Sequence, residues 1–295
     1  MKTNLRVRLL VNSIEKNSVC FFDMERVVVT ADMEIIFIGN ELLIGKVLNT
    51  NAQWLSSQAT LAGISVKRVT VVRDEIKEIV AAIREALRRK PCFIITTGGL
   101  GPTFDDMTLE GMAKALNRKL VVNRKALKMV REKYEAFAVE NRSEFEMTQP
   151  RVKMATLPRN TKPIFNPIGT APGVHAETRN TLLVALPGVP KEMEAIFKGS
   201  VLPMLRQASG DLAFHQISMY ADNIMESSLA PLIDVVMHDN PGVYVKSHPR
   251  GKENRPNIEI HLSTTVGEAE KPVESLERAM MQLSRAIEEA GGKVV

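Results

Sequence analysis

Gly98, Gly99 and Gly101 follow the apolar run Phe93-Ile-Ile-Thr-Thr97 directly, and Thr103, Asp105, Asp106 and Thr108 come next. This order of residue types builds an anion site. Glycines reach positive φ and leave backbone N–H groups uncovered, so a phosphate can approach the main chain closely. A helix beginning near Thr108 adds the positive end of its dipole. Asp105 and Asp106 would repel a phosphate unless a cation sits between them or one carboxylate acts on the substrate. The segment therefore points to phosphate chemistry rather than to phosphate binding alone. A glycine turn after a strand is often only a βα connection, and an Asp before a helix is often only a cap. The carboxylate pair and Thr108 tip the balance toward function.

Further candidates follow other strand ends. Asn40 and Glu41 come after the run Glu34–Ile38, and Asp74 comes after Val66–Val72. In an open parallel sheet, ligands bind beyond the carboxyl ends of the strands, which gathers these residues with the glycine loop on one edge. Each acidic residue alone reads as a solvated charge or a cap, and Asp74 reads as the cap of the helix that follows. A second strand–glycine–helix junction is Leu186-Pro-Gly-Val-Pro-Lys-Glu-Met193, with Pro190 suited to a helix start. Lys191 there can reach a phosphate, although a solvated first-turn lysine is the commoner case. Asn166-Pro-Ile-Gly-Thr-Ala-Pro-Gly173 is a rigid, glycine-punctuated segment, and Asn49-Thr-Asn51 precedes a helix. Cys20 and Cys92 lack metal-ligand spacing, and the five histidines form no HExxH pattern, so any metal is expected on oxygen ligands. Cys92 is expected as a buried core thiol.

These residues need a scaffold, and the hydrophobic periodicity supplies one. Strands 34–38, 66–72 and 93–97 alternate with helices: one carrying Trp54, Leu55 and Ala59, one spaced as Ile76, Ile79, Val80, Ile83 and Leu87, and one over Thr108–Leu116. Arg88-Arg-Lys90 and Pro91 close the second helix, with the basic residues complementing its dipole. A helix over Arg124–Val139, a mobile polar loop over 140–149 and a hairpin of 174–177 with 181–186 follow. This is the pattern of an α/β fold, a doubly wound sandwich whose mostly parallel sheet carries helices on both faces. The pattern changes near Gly210 to strand, helix, strand, strand, helix and a closing strand, a small α+β layer in which 247–251 reads as a turn.

The predicted organisation is an extension over 1–32, an α/β domain over 33–209 and an α+β domain over 210–295. Residues 1–32 lack the features of a signal peptide, and translation from Met33 is expected. The chain has 295 residues, a formal charge of +5 and 5% aromatic residues, with one Trp and three Tyr. A modest positive charge without aromatic stacking platforms suits acidic small ligands. No apolar stretch approaches the roughly 18 to 20 residues that span a bilayer, so a cytoplasmic protein without membrane contact is expected.

Taken together, Ile38-Gly-Asn-Glu-Leu-Leu-Ile-Gly45, Asn49-Thr-Asn51, Thr97-Gly-Gly-Leu-Gly-Pro-Thr103 with Asp105-Asp106, Asn166–Gly173 and Leu186–Met193 resemble the CinA amino-terminal family of the MoaB/Mog molybdopterin-binding-like superfamily. The resemblance covers residues 33 to about 295. It implies a MoaB/Mog-type three-layer sandwich, a small KH-like domain after it, and a homo-oligomer. It also implies divalent-metal-dependent hydrolysis of a nucleoside diphosphate linkage, ADP-ribose to AMP and ribose 5-phosphate, helped by potassium. The Mog branch instead implies molybdopterin binding or adenylylation in molybdenum cofactor biosynthesis. Two departures stand out. Asn40 lies where many members carry Asp, which removes a possible metal ligand. The family's carboxy-terminal nicotinamide mononucleotide deamidase region has no counterpart before Val295, so that activity is not expected.

On the hydrolase reading, N–H groups of Gly98 to Gly101 hold a diphosphate while Asp106, with Asp105 or Glu41, positions Mg, Mn or Co, and Asp74 orients water or a ribose hydroxyl. Thr103, Thr108, Asn49, Asn51, Gly169, Thr170, Pro187, Gly188 and Lys191 are the further candidates for ligand contact. On the pterin reading the same residues take molybdopterin. A third reading is a non-catalytic interaction module. RNA contact in the KH manner needs a GXXG loop, which 210–295 lacks, so a nucleic-acid partner is not expected.

Overall fold

The computed structural model describes residues 31–210, 212–250, 257–267 and 271–295. The described residues divide into two compact units, one running to Thr60 and resuming over Ile64–Ala208, the other comprising Leu61–Gly63 and Ser209–Val295.

The first unit begins with β1 (Asp32–Ile38), α1 (Asn40–Leu43), α2 (Thr50–Leu61), β2 (Ser65–Val72), α3 (Ile76–Arg89), β3 (Phe93–Thr97) and α4 (Thr108–Ala115). It continues with β4 (Leu120–Val122), α5 (Arg124–Glu140), α6 (Gln149–Met154), β5 (Thr156–Pro158), β6 (Lys162–Ile164), β7 (Gly173–Glu177), β8 (Leu182–Leu186), α7 (Pro190–Ile196) and α8 (Leu202–Ser209). A wide π turn over Phe197–Val201 joins the last two helices. Six strands form one sheet in the order β2-β1-β3-β8-β7-β6, and β4 pairs with β5 separately. β2, β1, β3 and β8 run parallel, whereas β7 and β6 add antiparallel edges. The mostly parallel α/β sheet matches the sequence reading.

Covering both faces of a parallel sheet requires strands that are apolar on both sides. Every residue of β3 is buried, and Ile35, Ile36 and Phe37 of β1 and Leu183, Val184 and Ala185 of β8 are all inaccessible to water. α3 buries Ile79, Ile83 and Ala86, the stripe that the 3-and-4 spacing predicts. Gly111 of α4 lets that helix approach closely, because a Cβ there would lie 2.4 Å from Ile79 Cγ2.

Several local expectations are corrected. The domain does not open at Met33: Asp32 begins β1 and accepts from the Cys92 N–H at 2.8 Å, and Ala31 O accepts from Ser65 N–H at 2.9 Å. The boundary at 32/33 therefore cuts a strand, while the rest of the expected extension lies outside the described residues. Cys92 is half-buried rather than fully buried, because it precedes β3 instead of lying within it. Arg89 does more than complement the α3 dipole: its guanidinium grips the buried Glu34 carboxylate at 2.6 and 2.7 Å. Asp74 does not cap α3, which opens at Ile76 after an extended Glu75 with no side-chain cap.

The second unit contains β9 (Ala213–Asp222), α9 (Glu226–Asp239), β10 (Tyr244–Pro249), β11 (Asn257–Val266), α10 (Pro272–Glu289) and β12 (Lys293–Val294). Its four-stranded antiparallel sheet has the order β10-β11-β9-β12, with Ala221, Ile258, Ile260 and Leu262 packed against Leu229 of α9 and Leu276 and Leu283 of α10. Ser247–Pro249 belong to β10 rather than to a turn, and residue 251 lies outside the described residues.

Candidate functional site

The carboxyl ends of β1, β2, β3 and β8 lie along one edge of the sheet because these strands run parallel and in register. The loops leaving them carry Gly39–Glu41, Arg73–Asp74, Gly98–Met107 and Pro187–Val189. Four of the sequence motifs thus meet where an open α/β sheet binds ligands.

Packing forces the glycines. Gly98 has φ 104°, and a Cβ there would lie 2.1 Å from the Ile38 carbonyl oxygen. Its N–H donates to Leu186 O at 3.0 Å, so it ties β3 to β8 and is not open to a ligand, contrary to the role expected for it. Gly188 lies against it: a Cβ on Gly188 would be 3.2 Å from Gly98 Cα. Gly99 has φ 64° and accepts from Thr108 N–H at 3.1 Å. The N–H groups of Gly99, Leu100 and Gly101 have no hydrogen-bond partner among the described residues. These three donors, together with the start of α4, remain for an anion.

Thr108 is corrected from ligand contact to support. It is fully buried, and its hydroxyl donates to Gly98 O at 2.6 Å, fastening α4 under the loop. Thr103 is the hub of the loop tip. Its N–H and hydroxyl donate to Asp106 Oδ2 at 2.8 and 2.6 Å, and its hydroxyl also meets Asp105 Oδ1. Lys153 of α6 donates its ammonium to the Thr103 carbonyl. No spacing signal marks Lys153, because the contact joins residues 50 positions apart. A Cβ on Gly101 would lie 2.6 Å from Asp106 Oδ2, so the glycine makes room for the carboxylate.

Asp74 is half-buried, and its Oδ2 accepts the Asn40 N–H at 2.7 Å. Burial pushes its carboxyl above the ordinary 3.8; the Asn40 N–H opposes that shift, while the charges of Glu41, Asp105 and Asp106 add to it. The Thr103 hydroxyl and its own backbone N–H hold the Asp105 carboxyl below its ordinary value, helped by Lys153. The four carboxylates therefore share one electrostatic field, although they lie on loops from three different strands.

The remaining candidates divide into supports and rim. Asn49 caps α2 by accepting from Ala52 N–H at 3.1 Å, and the buried Asn51 donates to Gly188 O at 2.8 Å. The Pro187 carbonyl accepts from the Thr97 hydroxyl at 3.2 Å. Gly169 gives its N–H to Asn166 Oδ1 at 2.8 Å, and a Cβ there would collide with the Glu192 carboxylate at 1.9 Å. Asn166 in turn donates to Glu192 at 2.7 Å, a junction that links two of the motifs and that neither motif discloses alone. Thr170 is half-buried, and Lys191 is exposed on the first turn of α7.

All the candidate metal donors are hard oxygen groups, which suits Mg, Mn or Co. Asp105 and Asp106 each retain one oxygen not engaged by Thr103, and Glu41 folds back over Gly39. Among the described residues, no three His, Cys, Asp or Glu side chains are grouped closely enough to hold a metal ion. The donor chemistry is that of a divalent-cation site, whereas the described side chains are not grouped closely enough to form one.

The family model described as "Probable molybdopterin binding domain" matches residues 34–207. A protein of Pyrobaculum calidifontis is 46% identical over 256 residues, covering 85% of this chain and 95% of its own. A protein of Metallosphaera sedula is 42% identical over 261 residues, covering 88% and 95%. Among solved structures, CinA from Thermoplasma acidophilum, described as of unknown function, is 40% identical with a TM-score of 0.54, over 59% of this chain and 98% of that one. The matched span contains the first sheet apart from the first two residues of β1, and all the loops of the edge just described. The chain belongs to the MoaB/Mog-like molybdopterin-binding-domain family, and within it is CinA-like.

Proposed function

We propose that the α/β unit binds a phosphate-bearing small molecule of the molybdopterin class at the loop between β3 and α4. The observation that carries this reading is the run of unpartnered N–H groups at Gly99, Leu100 and Gly101, in a loop whose glycines are fixed by packing. The phosphate would face these donors at the start of α4, where the helix dipole favours negative charge. The match to a molybdopterin-binding domain supports the choice of ligand class. Equilibrium titration with molybdopterin tests it: saturable binding that weakens in Gly101→Ala supports the site, and no binding rejects it.

A second reading, hydrolysis of ADP-ribose to AMP and ribose 5-phosphate, is favoured by the shared field of Glu41, Asp74, Asp105 and Asp106. Asp106, Asp105 and Glu41 would hold a divalent ion, which supplies charge neutralisation at the diphosphate and a more acidic water. The loop N–H groups orient the diphosphate, and Lys153 keeps the loop tip in place. Asp74, whose carboxyl burial raises above its ordinary value, would take a proton from the attacking water as its oxygen bonds to phosphorus and the bridging P–O bond of the diphosphate breaks. Potassium would act as a counter-ion. Mass spectrometry of ADP-ribose incubated with Mg, Mn or Co and potassium tests the reading, with Asp106→Ala alongside. Retention of full product formation in that variant removes Asp106 from the reaction.

The homo-oligomer belongs to the same proposal. Ile44 and Leu48, between α1 and α2, are 71% and 83% exposed, an apolar pair that a second copy would cover. Light scattering tests it, and a monomer at high concentration rejects it. No helix among the described residues is long and apolar enough to cross a membrane.

A further inference from the structure

The second unit carries a face that the α/β site does not use. Its element order is βαββαβ, and its sheet order β10-β11-β9-β12 places the first and third strands of the unit at the centre. Both helices pack on one side, against Ala221, Ile258, Ile260 and Leu262. Strand alternation sends the intervening residues to the opposite side. There the pairing aligns Tyr220 with Glu259 and Glu259 with His248, and the next row aligns His261 with Lys246.

This outer side is aromatic and cationic. Two of the three tyrosines in the chain lie on it, with Tyr220 39% and Tyr244 58% exposed. They stand on the two strands that flank β11, Tyr244 opposite Ser263 and Tyr220 opposite Glu259, a placement invisible in the overall aromatic content, which suggested that no stacking platform exists. Lys246, His248 and Arg250 are exposed beside them. Two carboxylates lie on this side. Asp222 at its end, half-buried, accepts from Asn257 Nδ2 at 2.7 Å and is aligned across the strands with Lys293. Glu259 is buried, with Arg250 paired to it, the Tyr220 hydroxyl donating to it at 3.0 Å and His261 Nε2 3.4 Å away. Glu259 thus anchors a ring and a cation and is itself compensated by the Arg250 charge. The His248 and His261 rings meet edge to face at 5.1 Å, which fixes a third flat element on the same side.

A four-stranded sheet with helices on one side and exposed rings and cations on the other has the chemistry of a stacking platform. We infer that this outer sheet face binds a single-stranded polynucleotide, with bases against Tyr220 and Tyr244 and phosphates beside Lys246. The mode is distinct from the clamp of a KH domain, so the lack of a GXXG loop does not bear on it. The inference is independent of what the α/β site binds.

Fluorescence anisotropy on the full chain tests it with a labelled single-stranded RNA of about 12 nucleotides, the DNA strand of the same sequence, and the duplex. Either single strand should bind, at least tenfold more tightly than the duplex, with affinity falling as salt rises from about 50 to about 200 mM. Tyr244→Ala removes an exposed ring that makes no side-chain hydrogen bond, so folding should persist while affinity falls about fivefold or more. Lys246→Ala should flatten the salt dependence. The inference is overturned by an absence of binding at the lowest salt, by equal binding of the duplex, or by unchanged affinity in Tyr244→Ala. Self-association abolished by Tyr244→Ala, without polynucleotide binding, would overturn it in favour of a second copy on this face.

Discussion

The Asn40 N–H donates to Asp74 Oδ2 at 2.7 Å, so the ends of β1 and β2 are joined by a carboxylate that has three other carboxylates in its field. A capping aspartate would be stabilising, whereas this one is held where its charge is unfavourable. Because the folded state raises its affinity for a proton, Asp74 disfavours folding at neutral pH, and that penalty is relieved as pH falls through its raised value. Asp74→Asn keeps an oxygen for Asn40 and removes the charge. Calorimetry at pH 7 should therefore show a melting temperature higher by about 2 °C. Ligand binding or turnover should drop at the same time, and an unchanged activity would remove Asp74 from the site.

Gly98→Ala places a Cβ at a left-handed φ of 104° and 2.1 Å from a backbone oxygen of β1. Neither can relax without parting β3 from its neighbours, so the substitution should cost about 3 kcal/mol or more. Denaturant unfolding checks this. A variant of near wild-type stability would show that the β3–α4 turn is looser than described.

Arg89→Ala leaves the Glu34 carboxylate buried without its bidentate partner, since the Glu34 side chain is only 4% exposed. Removing one member of such a pair typically costs about 3 to 5 kcal/mol. Unfolding of Arg89→Ala beside the exposed control Arg88→Ala should show that loss for the first and almost none for the second.

His175 of β7 is buried, and its Nδ1 has no hydrogen-bond partner. Burial pulls its pKa below the ordinary 6.5, with Lys162 and Lys125 adding to the effect against Glu177. The unfolded chain therefore takes up a proton below 6.5 that the folded chain refuses. The stabilisation from a neutral His175 is present above pH 6.5 and is lost as pH falls through the folded value, by up to about 1.4 kcal/mol per pH unit. Melting temperatures taken between about pH 7.5 and 5.5 should hold steady down to about pH 6.5 and fall below it for the wild type, and should lose that fall in His175→Asn. Parallel curves would assign the acid sensitivity elsewhere.

What was readable in the sequence was local. The strand–glycine–aspartate–helix order around Gly98, the stripe of α3 and the βαββα order of the second unit depend on neighbours within a few positions, and the structure contains all three. What was misread depends on partners far along the chain. Asp74 reads as a cap until Asn40, 34 positions away, supplies its N–H. Thr108 reads as a ligand contact until its burial turns the hydroxyl onto Gly98 O. Gly98 itself reads as an open donor until β8 arrives to accept its N–H. Arg89 gave only a helix-end signal, since its target Glu34 lies on a strand 55 positions earlier. The supports of the site were thus harder to read than its glycines.

The most direct test of the central claim is the equilibrium affinity of the wild type and Gly101→Ala for molybdopterin, measured by calorimetric titration. An added methyl at Gly101 lands 2.6 Å from Asp106 Oδ2, displaces the carboxylate that holds Thr103 and so shifts the loop that carries the unpartnered N–H groups, while strands and helices keep their packing. The account predicts saturable binding to the wild type and a loss of about tenfold or more in the variant, equivalent to about 1.4 kcal/mol. Absence of wild-type binding, or equal affinity in both proteins, would contradict the assignment of this loop as the phosphate site.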